Sequence, residues 1–256
     1  MALDLTKPLI LVAHPDDETI ACAGLLQRVS GSLVVIATDG APPGYRFERK
    51  FGTLTNYSEL RFQEAAHALG HIAQATFRRP VRRRGSYFVD QHLYQDLPGA
   101  VEAISKMARE FCPDAVVSHA YEGGHVDHDA CSFIASQIAG ALSLRRFEFP
   151  LYGAERAGTR AWQQFRDVRP DTFELSLNAP ELACKTRMMA EYQTQPGAFS
   201  VFDPGIERFR LASAEGFSVP ACESYAYEGR QISAEKLVEK FREFEKGGLT
   251  RAGEKS

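Results

Sequence analysis

Long apolar runs, paired cysteines, a glycine-rich phosphate loop and a one-signed charge excess are all missing from this chain, and each gap removes a class of protein. The N-terminal apolar run is only six residues, Pro8 to Ala13, behind a start that carries Asp4 and Lys7. A membrane-spanning helix needs about 20 apolar residues, and a secretory signal needs a basic start. A net charge of −3 over 256 residues gives no general electrostatic grip on nucleic acid or on an anionic membrane. The local run Arg78, Arg79, Arg82, Arg83 and Arg84 is the exception, and reads either as a solvated face or as a seat for an anionic substrate such as a sugar nucleotide. Five cysteines, Cys22, Cys112, Cys131, Cys184 and Cys222, are odd in number and lack the short paired spacing of a zinc ribbon or a disulfide scaffold. No G-x-G-x-x-G follows the first apolar run, which argues against a dinucleotide module. These gaps predict a cytoplasmic protein with no nucleic-acid partner and no membrane span; homo-oligomerisation is left open.

What is present is ordinary globular material, 44% hydrophobic and 25% charged, in alternating patterns. Leu9 to Ala13 reads as a buried strand, and Cys22, Leu25, Leu26 and Val29 then recur at helical spacing. Leu33 to Thr38 is a second strand, Asp39 to Gly44 a loop, and Asn56 to Gly70 a helix. Short strands interrupted by the arginines are expected over Thr76 to Val89. A helix marked by Val101, Ile104, Ala108 and Phe111 precedes Pro113. Asp114 to His119 repeats the strand pattern, and Ala130, Ile134, Ile138 and Ala141 mark the helix after it. Arg146 to Pro150 and Thr172 to Leu177 read as strands, and Asn178 with Pro180 as the start of a helix to Tyr192. Residues 194–228 are irregular, with Phe199, Phe202, Phe209, Phe217, Tyr225 and Tyr227 read as core or oligomer contacts. Leu237, Val238, Phe241 and Phe244 mark a closing helix, and Gly247 to Ser256 a frayed tail. Alternating strands and helices predict an α/β, Rossmann-like three-layer sandwich with a mostly parallel sheet. With no internal repeat and no long linker, residues 1–256 are expected to form a single catalytic domain, less regular over about 194–256.

Two polar clusters sit where such a fold binds ligands, beyond the carboxyl ends of its strands. The first is Ala13-His14-Pro15-Asp16-Asp17-Glu18, directly after the first strand; the second is His125-Val126-Asp127-His128-Asp129, after the strand ending at His119. Acids packed this closely repel one another unless a cation or hydrogen-bond donors hold them. A zinc-type ion accepts imidazole nitrogen and carboxylate oxygen, and a catalytic site uses three protein ligands. His14 and Asp17 can converge from one turn, and His128 supplies the third ligand. Asp16 then remains as a general base beside the metal-bound water. His125 is placed to face a developing oxyanion as a protonated group, with Asp127 or Asp129 accepting its other ring hydrogen. Glu18 reads as a supporting or capping group, and His119 as structural.

The pair AHPDDE and GGHVDHDA resembles the LmbE/PIG-L family of zinc-dependent de-N-acetylases, with Val126 where proline is common. Thr38-Asp39-Gly40, Arg61 to Gly70, Asp90 and Lys185 to Gln195 extend the resemblance over about Leu9 to Gln195. It implies zinc on His14, Asp17 and His128, Asp16 as base, His125 as oxyanion partner, and Arg61 and Asp90 near substrate hydroxyls. It also implies hydrolysis of an acetamide on a small-molecule N-acetyl sugar or glycoconjugate. Some family members place a tyrosine two residues before the first histidine of the second motif; Gly123 stands there, and Tyr121 is the loop residue that could replace it. Two other readings stay open. Two histidines and a carboxylate also make the facial triad of iron oxygenases, so Fe2+ or another divalent metal is an alternative to zinc. A non-catalytic Rossmann-like protein binding a nucleotide or a partner is the other.

Overall fold

In the computed structural model, which describes residues 3–153, 161–167, 169–195, 197, 199–213, 216–219, 224–227 and 230–253, seven strands join one sheet. The strands are β1 (Leu9–Val12), β2 (Ser32–Ile36), β3 (Ala75–Arg78), β4 (Ala115–His119), β5 (Arg145–Phe149), β6 (Phe173–Ser176) and β7 (Ile206–Leu211). They stand in the order β3-β2-β1-β4-β5-β7-β6. The first five run parallel; β7 is antiparallel to both β5 and β6. The helices are α1 (Asp17–Arg28), α2 (Tyr45–Phe51), α3 (Leu54–Leu69), α4 (Leu97–Phe111), α5 (Val126–Leu142), α6 (Ala179–Glu191) and α7 (Ala234–Gly253). A hairpin of β8 (Ser224–Tyr227) and β9 (Arg230–Ser233) precedes α7.

Successive strand residues point to opposite faces. Ile10, Val12, Val34 and Ile36 therefore pack with α1, α3 and α6, while Leu9, Leu11, Leu33 and Val35 pack with α4, α5 and α7. Two apolar cores on a sheet buried on both sides explain why the central strands read as continuous hydrophobic runs. The predicted α/β layering with a mostly parallel sheet is what the chain forms. β1 lies between β2 and β4, so the connections leaving β1 and β4 diverge. That switch point opens the crevice into which both polar clusters emerge.

Several elements differ from expectation. α2 falls between the loop and the helix read from the sequence, β7 in the stretch read as irregular, and α7 continues to Gly253 instead of fraying from Gly247. The end of the expected tail, 254–256, lies outside the described residues, as does Cys222. Cys22, Cys131 and Cys184 are buried free thiols and Cys112 an exposed one. Among the described residues no helix is long and apolar enough to cross a membrane.

A buried ion pair ties the antiparallel end of the sheet to α1. Glu207 of β7 accepts from the Gly24 and Leu25 amides at 2.7 and 3.0 Å and from Lys185 Nζ of α6 at 2.8 Å. Lys185 also donates to the Ile20 carbonyl at 2.7 Å. Gly24 permits this approach: a Cβ there would lie 2.7 Å from the Leu177 side chain and 3.0 Å from the Glu207 carboxylate.

Candidate active site

The turn between β1 and α1 is built so that three consecutive polar side chains diverge. Asp16 has φ 116°, a conformation that side chains rarely adopt. Its backbone is held from both sides. Glu18 accepts from the Asp16 amide at 3.1 Å and from Thr19 Oγ1 at 2.8 Å, and Tyr192 donates to the same carboxylate. Arg61 of α3, buried, donates to the carbonyls of Pro15 and Gly40 and to Asp16 Oδ2 at 2.9 Å. Gly40, at φ 62°, is required beside this turn because a Cβ would sit 2.5 Å from Pro15 Cδ.

The Asp17 carboxylate points the other way, into a set of imidazoles. Its Oδ2 accepts from the His14 amide at 2.9 Å and lies 3.4 Å from His14 Nδ1, 3.3 Å from His119 Nε2 and 3.6 Å from His128 Nε2. His14 Nε2 faces Asp90 at 3.1 Å and Asp127 at 3.3 Å. All of these side chains are buried. Among the described residues the His/Asp groupings close enough to share an ion are His14–His125–His128, Asp17–His119–His128 and His14–Asp90–Asp127. The expected trio His14, Asp17 and His128 is not itself one of these; its members are spread over all three. The donor set fits a zinc-type ion, which takes imidazole and carboxylate together. His128 Nε2 is also a buried nitrogen with no hydrogen-bond partner among the described residues.

Electrostatics divide the cluster. Burial alone disfavours a charged His14, yet Asp90, Asp127 and Asp17 together hold its pKa well above the usual imidazole value. Burial likewise opposes ionisation of Asp17, but His128 and His119 pull it well below the carboxylate range. Burial pushes the Asp16 carboxyl up to about 7 against the pull of Arg61; a cation seated nearby would bring it back down. Burial lowers His128, with His119 adding to the effect.

His125 differs from expectation. It is the N-cap of α5, and its Nδ1 accepts from the Asp127 amide at 3.1 Å. The ring proton therefore belongs on Nε2. Burial, followed by the nearby charge on His14, drives its pKa to about 3, so the ring is a neutral N–H donor and not an imidazolium. Neither acid expected to support it does so. Asp127 faces His14 and accepts from the Gln91 and Leu93 amides at 2.5 and 3.2 Å. Asp129 closes the preceding loop, accepting from the Glu122 and Gly123 amides and from Tyr225.

The remaining expected residues have the following places. Asp90 lines the cleft but packs on His14, its amide tied to Asp39 at 2.9 Å. Arg61 lines the cleft while spending its guanidinium on the turn that carries Asp16. Tyr121 is not brought to the site: its hydroxyl donates to the Ser218 carbonyl at 2.8 Å and its ring packs on Phe217 and Phe241. Tyr152 stands nearer, its ring 4.9 Å from His128 and 6.5 Å from His125. Gly124 explains why: a Cβ there would lie 1.9 Å from the Tyr152 carbonyl oxygen, so the Gly-Gly loop lets the segment after β5 close over the histidines. His119, read as structural, stacks on His128 at 3.9 Å. Its place at the end of β4, next to β1, is the signal that could have drawn it into the site.

A His/Asp site able to hold a metal ion, at the switch point of an α/β sheet, is what this architecture defines. The family model described as PIG-L, GlcNAc-PI de-N-acetylase, matches residues 9–139, just over half of the chain, and the chain belongs to that family. It is accordingly a hydrolytic N-deacetylase. No curated protein sequence matches it. Among solved structures it is similar to the A40926 pseudoaglycone deacetylase Dbv21, with TM-score 0.62 and 18% identity over 81% of this chain and 97% of that one. It is also similar to the N,N'-diacetylchitobiose deacetylase of Pyrococcus horikoshii, with TM-score 0.52 and 15% identity over 82% and 84%. The 4-carboxy-2-hydroxymuconate hydratase GalB of Pseudomonas putida KT2440 gives TM-score 0.51 and 15% identity over 84% and 100%. At these identities the likeness is one of fold, and a hydratase shares it.

Proposed function

We propose that this protein removes the acetyl group from an N-acetylated amino sugar or glycoconjugate, using a zinc-type ion held by His14, Asp17 and His128. The observation that carries the proposal is that buried Asp17 Oδ2 lies 3.4 Å from His14 Nδ1 and 3.6 Å from His128 Nε2, beside Asp16, a separate carboxylate on a turn gripped by Arg61 and Glu18. When bound, the ion supplies Lewis acidity for the amide carbonyl and for the attacking water. Asp16 takes the proton of that water and passes it to the departing nitrogen, so the C–N bond breaks to give acetate and a free amine. His125 donates its Nε2–H to the carbonyl oxygen as negative charge develops, and as a neutral group it does so without repelling the ion. Asp127 orients His14, and Tyr152, whose ring lies 4.9 Å from His128, is the tyrosine beside the histidines in the place expected of Tyr121.

The test is acetate release from N-acetylglucosamine and its glycosides, with and without a chelator, followed by zinc or iron repletion. Asp16→Asn should lower kcat by roughly 10²- to 10⁴-fold while metal content stays constant. Unchanged acetate release in that variant would remove Asp16 as base. Iron-dependent oxygen uptake with no acetate would sink the hydrolase reading.

A further inference from the structure

The floor of the cleft is occupied by the His/Asp cluster, but one wall of it is aromatic. Leu151–Gly153 and Ala161–Gln163 pair antiparallel, with Gly153 N–H donating to the Ala161 carbonyl at 3.3 Å and Gln163 N–H to Leu151 at 2.9 Å. Tyr152 and Trp162 are bridge partners in this ribbon. Directly opposed residues share a face, and the two rings lie 5.5 Å apart, both lining the cleft. Phe202 meets Trp162 edge-on at 5.4 Å. Gln163 fixes the Phe202 segment to the ribbon: its side chain donates to the Asp203 carbonyl at 3.1 Å and accepts from the Asp203 amide at 2.6 Å. The wall is thus preformed, begins against His128 at Tyr152, and runs outward to Val201, which is 47% exposed at the rim.

Charge narrows what this wall can face. Among the described lining residues Arg61 is the one permanent cation, and it is engaged by Asp16, Pro15 and Gly40. Asp16, Asp17 and Asp90 line the same cleft. The arginine run lies elsewhere: Arg78, Arg79, Arg82 and Arg83 pair with Glu110, Glu59, Asp96 and Glu102, and a separate groove receives Arg82 to Arg84. Among the described lining residues, a phosphate away from the proposed ion would meet carboxylates with no unengaged Lys or Arg to offset them. A cleft of about 480 Å³ falls within the range that encloses drug-sized ligands.

We propose that Trp162 and Phe202 form an aglycone subsite, so that the substrate is an N-acetylated amino sugar carrying a neutral apolar or aromatic group. This rests on the de-N-acetylase reading and specifies its substrate class. The two rings pack against that group while the acetamide reaches the histidines. Free N-acetylglucosamine, its phenyl β-glycoside and its 1-phosphate are the probes. The phenyl glycoside should exceed the free sugar in kcat/KM by about tenfold, the 1.4 kcal/mol of one good aromatic contact, with the 1-phosphate below both. Trp162→Ala and Phe202→Ala should bring the phenyl-to-free ratio towards one by raising KM for the glycoside, and Trp162→Phe should restore it. Equal turnover of phenyl and free sugars, preference for the phosphate, or an equal loss on both substrates in Trp162→Ala would overturn the subsite. If no probe releases acetate, the deacetylase reading fails instead, and the subsite is decided by binding. Trp162 is the only tryptophan in the chain, so a saturable change in its emission with the phenyl glycoside supports the subsite, and no change refutes it.

Discussion

Replacing Glu207 by Gln removes a negative charge from a place that water does not reach. The Lys185 and Glu207 side chains are 1% and 0% exposed, and the carboxylate also accepts from two α1 amides. Gln keeps the shape, but its NH2 group faces donors, and Lys185 is left as a buried charge without a counterion. Breaking a buried pair from one side costs about 3–5 kcal/mol, against about 5–15 kcal/mol for a whole folded domain. At about 2–4 °C per kcal/mol for a chain of this size, the melting midpoint should fall by about 6–20 °C. Removing both charges, as Lys185→Met with Glu207→Gln, should recover at least half of that loss, because the Ile20 carbonyl freed by Lys185 can accept from Gly24 within the helix. Urea titrations of the wild type, both single variants and the double variant give the coupling energy directly. A single-variant loss below about 1 kcal/mol, or a double variant no better than Glu207→Gln, would refute the argument from uncompensated burial.

Gly124→Ala should depress acetate release strongly with metal binding retained, because the new methyl must displace the Tyr152 carbonyl; calorimetric zinc titration beside the activity assay checks both halves. His128→Ala should lose zinc in equilibrium dialysis, and His119→Phe should weaken zinc less, since its ring stacks on His128 while its Nε2 also receives the Ala13 amide. Burial pushes the Glu122 carboxyl up to about 8 from its ordinary 4.5. The native state therefore keeps a proton that the unfolded chain releases, and stability falls as pH rises from about 4.5 to about 8, by up to about 1.4 kcal/mol per unit. Glu122→Gln should flatten that slope in denaturation curves at pH 5, 6.5 and 8; parallel curves would show that this group is not its source.

The sheet centre was readable because β1, β2 and β4 are buried on both faces and so contain almost nothing polar. β7 was hidden for the opposite reason. Ile206–Leu211 alternates with Glu207, Arg208 and Arg210, and the charges facing inward are satisfied by Lys185 and by Glu148, which no hydrophobic pattern reports. In the site, residue types at fixed short spacing were legible, while pairings across elements were not. Asp127 was matched to His125 because the two are close in sequence, but a helix start turns the carboxylate towards His14. The exchange of Tyr121 for Tyr152 depended on a backbone approach permitted by Gly124, and Phe202 entered the cleft wall through Gln163.

Asp16 carries a demand on its backbone as well as a proposed chemical task. At φ 116° the position favours residues without a bulky side chain, chiefly Gly, with Asn and Asp next. Among those only Asp can accept a proton. A longer carboxylate such as Glu would have to distort the turn that Arg61 and Glu18 brace. The position can thus be silenced by substitutions that the turn accepts, but it offers no neighbouring sequence through which the base could be gradually retuned. Laboratory evolution of this enzyme should therefore leave Asp16 fixed and find its new activities in the wall around Trp162.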